Sequence, residues 1–498
     1  MIANIHRLLV FLVALLGAQA AHAQAWELQS DRWYVLTLSE MPCGYSHESV
    51  HRRTLATGVE LRTTGDIEMR FRRLGEVTEI SMHSEFIESA RGEPIEASCS
   101  QMGSARVRWK FEPALKRATM QVGDGKPEPF AWPAESFLTP RAVEKFIAAR
   151  LAAGAAEIVF TALDLQSGCV AAQSTMTRAK GAPDERWFDV KNSLVPLVAR
   201  EQYAMDGALL ESAMPLGIGA LISRIANESE ARAALAAGNF DLLRGTLISA
   251  APIPNSSRLS RASFRVTTTA PAISLPNGAS QMVRIDAATP QVAVVEVDRD
   301  RMIVVDAVEA GDARWMKPNA LIDSESAAVV ALRDQTKRTE GQSRLARAEQ
   351  LRSLVSKHLK SKNFKTAFGS ASEAAESRSG DCTEHAVLLA ALLRADGIPS
   401  RVVSGVVFVE GLGGQECAWG WHMWTQALVP RATSSASEPA LVWVDLDATL
   451  HTRFHAGHIA VAVSDLASGG ADPVFLGALA LIGQVKIELV EGSVKHDR

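Results

Sequence analysis

The chain reads as an α+β protein, with a mostly β N-terminal region ahead of a C-terminal unit built from one buried helix and the antiparallel strands that follow it. Three observations carry that reading. Period-two alternation recurs in Val59-Glu60-Leu61, Ile67-Glu68-Met69-Arg70-Phe71, Ile80-Ser81-Met82 and Val107-Arg108-Trp109-Lys110-Phe111, the pattern of half-buried antiparallel strands. The apolar run Ala386 to Leu393 follows Ser379-Gly380-Asp381-Cys382-Thr383-Glu384-His385, which looks like the start of a buried helix. Beyond Gly397-Ile398-Pro399, the segments Arg401 to Phe408, His422 to Val429 and Leu441 to Asp447 alternate as strands do.

Length and composition leave room for two or three domains. The 498 residues are 47% hydrophobic, enough for sizeable cores, and the net charge of −4 offers no basic field for a nucleic-acid partner. Residues 1–23 carry Arg7, an apolar stretch from Leu8 to Gly17, and Ala21-His22-Ala23. That is the pattern of a signal peptide with a small-x-small cleavage site. The apolar stretch falls short of the roughly 20 residues a spanning helix needs, so cleavage and export to a periplasm or beyond are expected. No later segment reads as a membrane span.

Residues 24–223 are expected to form a β meander with one inserted helix. Thr139-Pro140 opens that helix, Val143, Phe146, Ile147 and Leu151 share a face, and Gly154 ends it. A curved sheet or half-barrel able to hold a polypeptide or lipid, or a spacer that positions the C-terminal unit, would both fit. Helical segments are expected from Leu209 to Leu247, and a small β segment from Leu259 to Val305. Residues 224–315 thus form a connector, and residues 316–498 the C-terminal domain. Within it, Leu345, Ala348, Leu351, Val355 and Leu359 recur at helical spacing. The basic cluster from Lys337 to Arg352 is therefore read as the solvated face of a packed helix.

Cys382 is the chemically distinctive residue. Asp381 with Glu384 three positions on reads as an acidic capping box, which makes Cys382 the first helical residue. Free backbone N–H groups and the positive end of the helix dipole favour thiolate there, and a thiolate attacks carbonyl carbon. If the loop around Ser434 and Ser435 closes a symmetrical hairpin, His422 lies opposite Asp447 and Trp424 opposite Asp445. Met423, Thr425 and Ala427 then share a buried face with Val442, Val444 and Leu446.

At these residues the chain resembles the transglutaminase-like superfamily of papain-fold cysteine enzymes. The resemblance rests on Gly380-Asp381-Cys382-Thr383-Glu384-His385-Ala386, on Ala391 to Gly405, on His422-Met423-Trp424, and on Trp443-Val444-Asp445-Leu446-Asp447-Ala448-Thr449. It covers roughly the last third of the chain. The family's Asp-Pro-Thr stands here as Asp447-Ala448-Thr449. The resemblance implies a papain-like core with Cys382 as nucleophile, His422 as general base and acid, and Asp447 as the orienting carboxylate. Asp445 is the rival for that last role. It further implies an enzyme that acts on protein or peptide amide bonds through a thioester, with hydrolysis favoured over transfer to an amine. A catalytically idle binding module is the alternative of a different class. The Cys382 backbone N–H is the expected oxyanion donor.

No cofactor is implied. His451, His455 and His458 form a compact trio after Asp447, but a structural loop is the favoured reading and no metal site is assigned to them. No Asp-x-Asp-x-Asp-Gly loop is present, so the calcium dependence of some animal relatives is not carried over. Among the remaining cysteines, Cys43 with Cys99 is a reasonable disulfide, with Cys169 left over. Cys417 is expected near the site as a spare thiol rather than a redox lock on Cys382.

Overall fold

A computed structural model describes residues 25–73, 75–101, 105–181, 184–195, 197–361, 369–431, 440–467 and 481–494. The expected signal segment 1–23 and the loop around Ser434 and Ser435 lie outside the described residues. Among the described residues, no helix is long and apolar enough to cross a membrane.

The N-terminal strands are β1 (Glu27–Leu38), β2 (Met41–Leu55), β3 (Gly58–Arg73), β4 (Glu76–Ser89), β5 (Pro94–Gln101), β6 (Val107–Glu112), β7 (Arg117–Val122) and β8 (Glu128–Phe130). Helix α1 (Pro140–Ala152) follows, and then β9 (Glu157–Asp164), β10 (Val170–Arg178), β11 (Trp187–Asn192), β12 (Val198–Tyr203), β13 (Leu209–Leu216) and β14 (Gly219–Ala226). All join in one 14-stranded antiparallel sheet. The chain meanders outward from β1 to β8, crosses by α1 to the opposite edge, and meanders back until β14 pairs with β1, Trp33 facing Ala226. The Leu138 N–H donates to the Thr161 carbonyl at 2.8 Å, so the segment after β8 lies along β9 and the two free edges approach each other. The expected curved sheet is therefore present. Leu209 to Ala226, however, is a β-hairpin and not helical. Its leucines, alanines and glutamate favour helix locally, but its backbone groups complete the ladder between β12 and β1.

The connector holds α2 (Glu228–Ala237), α3 (Leu242–Thr246), and strands β15 (Ile248–Ser249), β16 (Leu259–Thr268), β17 (Gln281–Ile285) and β18 (Val292–Asp298). Helices α4 (Ala307–Gly311), α5 (Ala327–Arg333), α6 (Arg344–His358), α7 (Ala371–Ser377) and α8 (Cys382–Ala395) lead into β19 (Ser400–Glu410), β20 (Cys417–Pro430), β21 (Leu441–Leu446), β22 (His458–Ser464) and β23 (Val485–Val494). The second sheet runs β15-β20-β19-β22, with β21 on β20, and the third runs β17-β18-β16-β23. A helix apolar all round belongs in a core, and α8 is buried from Thr383 to Arg394. Leu351, Val355, Val402 and Val442 pack against its Leu388 and Leu389 in one continuous cluster, so α6 packs on the C-terminal unit as its periodicity predicted, although Arg347 and Arg352 of the basic cluster are buried and not solvated.

The C-terminal unit sits at one rim of the large sheet. A cavity of about 330 Å³ lies at the junction, between Trp109, Met120 and Phe130 of the sheet and Arg314 and Lys317 of the loop after α4. All five cysteines are free. Cys43 packs with Leu36 and Phe71, whereas Cys99 shares a separate cluster with Cys169. The expected Cys43–Cys99 pairing is thus not formed, because the two residues face different parts of the sheet.

Candidate active site

The backbone around Cys382 is built by its neighbours. Asp381 caps α8, its carboxylate accepting from the Thr383 N–H at 2.8 Å, while Glu384 reaches back to the Asp381 N–H at 2.8 Å. The capping box read from the sequence is present. Gly380 is required immediately before it: a Cβ there would lie 2.4 Å from Glu384 Cβ. Glu384 is buried at the helix start, and burial followed by the nearby Asp381 charge pushes its carboxyl up to about 8. His385 Nδ1 lies 2.6 Å from the Asp381 carbonyl, so His385 braces the turn behind the cysteine.

Two hydroxyls fix α8 on the strands. Thr425 donates to the Ala386 carbonyl at 2.9 Å and Ser400 to the Ala390 carbonyl at 2.9 Å. Strand β20 then carries His422 to the start of the helix. Its Nε2 lies 2.8 Å from Asp447 Oδ2, and Cys382 is near enough to act on the ring electrostatically. With Nε2 on the carboxylate, Nδ1 is the nitrogen left for the sulfur. Both His422 and Asp447 are buried. Burial alone would lower the imidazole. The Asp447 charge and hydrogen bond, with Cys382, outweigh it and hold His422 at about 10. Burial would likewise raise the Asp447 carboxyl, but His422 and His458 hold it well below the ordinary carboxylate range.

The structure thus brings Cys382, His422 and Asp447 together, though by a register shifted from the expected one. Gln426, not Trp424, faces Asp445, and Thr425 faces Leu446. The shift is one pleat repeat, so every side chain keeps its face, and Asp447 lies just past the end of β21. Asp445 does not touch His422. It accepts from Trp424 Nε1 at 2.8 Å, Gln426 Nε2 at 2.6 Å and Ser280 Oγ at 2.7 Å. It therefore fixes the indole that stacks on His422, with ring centroids 6.1 Å apart and planes within 23°.

His458 is the site residue that the sequence reading left in a loop trio. It opens β22, and its Nε2 lies 3.1 Å from the same Asp447 oxygen. Asp447 Oδ1 accepts from the Thr449 and Leu450 N–H groups at 2.7 and 3.1 Å. The carboxylate is satisfied on both oxygens and held in one orientation. His455 packs against His458, and burial pulls its imidazole down to about 3, whereas His451 lies exposed in the preceding turn. The trio is not a cluster. His422, Asp447 and His458 offer ligand atoms within 4.8 Å of one another, and these atoms meet as two imidazole–carboxylate hydrogen bonds. The sequence signal for His458 was its closeness to Asp447 at the start of a strand. Cys417 lies on β20 five residues before His422, roughly 16 Å along an extended strand, and packs with Trp419 and Phe408. It is not beside Cys382, and no redox lock between them is built.

Residues 331–448 match the transglutaminase-like superfamily, a span that contains Cys382, His422 and Asp447. The C-terminal part of this chain is a transglutaminase-like domain, and the region before it is mostly β. Solved structures similar to the chain include a candidate cysteine protease of Cytophaga hutchinsonii, at 13% identity and TM-score 0.28, covering 48% of this chain and 86% of that one. Another is a β-barrel-like protein of the domain of unknown function DUF1849 from Brucella abortus, at 11% identity and TM-score 0.29, covering 40% and 95%. A third is the periplasmic domain of TgpA from Pseudomonas aeruginosa bound to ethylmercury, at 16% identity and TM-score 0.26, covering 40% and 86%. No curated protein matches.

Proposed function

We propose that the protein is an exported cysteine enzyme that cleaves amide bonds of a protein or peptide through a thioester, with water as the main acceptor. The observation that carries this is the buried His422–Asp447 pair at 2.8 Å, with a cysteine at a helix start within electrostatic reach of the imidazole. The Cys382 thiolate attacks the carboxamide carbon and the developing oxyanion meets the Cys382 N–H. The C–N bond breaks as the His422 imidazolium protonates the leaving nitrogen. Water then attacks the thioester, gives a proton back to His422, and the C–S bond breaks to release a carboxylic acid. Asp447 holds the imidazole in one tautomer throughout, as the acid of a triad does.

The test is incubation of the mature protein with a glutamine-containing peptide or casein, with and without a primary amine, followed by mass. Backbone cleavage or deamidation, indifferent to added amine and abolished by Cys382→Ala, is expected. Activity is expected to fall as pH rises through about 10, where His422 loses the proton it must donate. Dominant amine incorporation at millimolar amine would instead make the protein an acyl transferase. Substrate binding that Cys382→Ala preserves, with no mass change in the parent, would make it a binding module.

A further inference from the structure

We propose that Arg73, from the large N-terminal sheet, is a positioning residue of the Cys382 site, neutralising the carboxylate that caps the nucleophile helix and so favouring the thiolate. The proposal rests on the reading of Cys382 as nucleophile. Asp381 immediately precedes Cys382 and is only 3% exposed. One of its oxygens is used by the cap, and the other accepts from Arg73 Nη1 at 2.6 Å, across 308 residues of sequence.

The capping carboxylate stabilises the helix yet places a negative charge beside the sulfur, and like charge disfavours a thiolate. The other charged or titratable groups facing this corner are Glu384 and His385 on the same helix, His422 on β20, Asp447 after β21, and Arg352 on α6. Arg352 lies on the Asp447 carbonyl at 3.5 Å and pairs with Glu349 at 2.7 Å. The cation in contact with Asp381 comes from the N-terminal sheet.

The tip of β3 is also held in place. The Arg72 N–H donates to the Phe240 carbonyl at 2.8 Å, and the Arg72 and Asp241 backbones form an isolated parallel β-bridge. From Asp241 the chain runs through α3 into β15, where Ile248 pairs with Trp419 on the strand that carries His422. The same tip therefore meets the nucleophile's helix by its side chain and the histidine's strand through the connector. On this account the N-terminal region completes the active site electrostatically, beyond any role in holding substrate.

The test measures iodoacetamide alkylation of Cys382 against pH in the full mature chain, with the adduct located by mass. Arg73→Met is expected to raise the titration midpoint by about one pH unit, slowing labelling below the midpoint about tenfold. Arg73→Lys is expected to stay within a few tenths of a unit of the parent. Adding Asp381→Asn to Arg73→Met is expected to bring the midpoint back, since no carboxylate then remains to neutralise. A parental midpoint in Arg73→Met overturns the proposal, even if that variant melts earlier. Should Arg73→Met not fold, Arg73→Lys and Arg73→Gln decide it, and equal midpoints in that pair overturn it. If Cys382 of the parent fails to outpace Cys417, the nucleophile reading itself has failed. Fast parental labelling with unmoved variants sinks the Arg73 role alone.

Discussion

The large sheet and the C-terminal unit bury their apolar side chains in different ways. In the sheet they fall into three separate clusters: one around Trp109 and Phe111, one around Met176 and Phe188 beneath α1, and one around Leu36 and Phe71. Many flanking side chains there are only partly buried. In the C-terminal unit two large clusters lie on the sheet of β19 and β20: one runs from Leu321 through α5, α6, α7 and α8 into β20 and β21, and the other joins β19, β20 and β22 to β16 and β18. The difference teaches where rigidity is placed. A reacting sulfur, imidazole and carboxylate must be held within a fraction of an ångström of their working geometry, and a close-packed interior on both faces of α8 does that. A curled sheet with several small cores keeps a long rim and a cavity at the junction, which suits a surface that meets other molecules.

The sharpest way to break the comparison lies within the C-terminal unit itself. Asp447→Asn removes the charge that holds His422 protonated and oriented, and activity is expected to fall on the order of 10⁴-fold, by analogy with triad acids. Asp445→Asn disturbs only the support of Trp424 and Gln426, and a loss of roughly tenfold or less is expected. Rates on one peptide substrate check both. An equal loss would mean that the carboxylate at the end of β21 is not the special one.

A smaller effect separates the two cores. Leu389→Ala in α8 opens a cavity in a fully buried cluster and is expected to cost about 2–5 kcal/mol in urea unfolding. Ile80→Ala in the sheet removes a half-buried side chain from the edge of a small cluster, and about 1 kcal/mol is expected. Equal costs would show that the sheet is packed as tightly as the helical core.

Much of the C-terminal site was legible because its signals are local. Gly380, Asp381 and Glu384 announce a helix start within five residues, and the parity of Met423, Thr425 and Ala427 announces which face of β20 is buried. The hairpin register was not legible, since parity alone tolerates a slip of two residues. The strands β13 and β14 were misread because Leu209-Leu210-Glu211-Ser212-Ala213-Met214 has a helix former's composition, and only pairing with β12 and β1 decides otherwise. Arg73 was invisible for a different reason. It meets Asp381 across 308 residues of sequence, and no local pattern records a partner brought in from so distant a strand.

The account turns on Cys382 being activated by its setting, and the relative reactivity of two thiols in one native molecule tests it most directly. Burial, then Glu416 and Glu410, hold the Cys417 thiol above its ordinary value, whereas Cys382 stands at a helix start against His422. With limiting iodoacetamide near neutral pH, the account predicts that Cys382 is alkylated at least a hundredfold faster than Cys417, and that His422→Ala removes most of that advantage while the fold persists. Equal alkylation of the two thiols in the folded parent would contradict it.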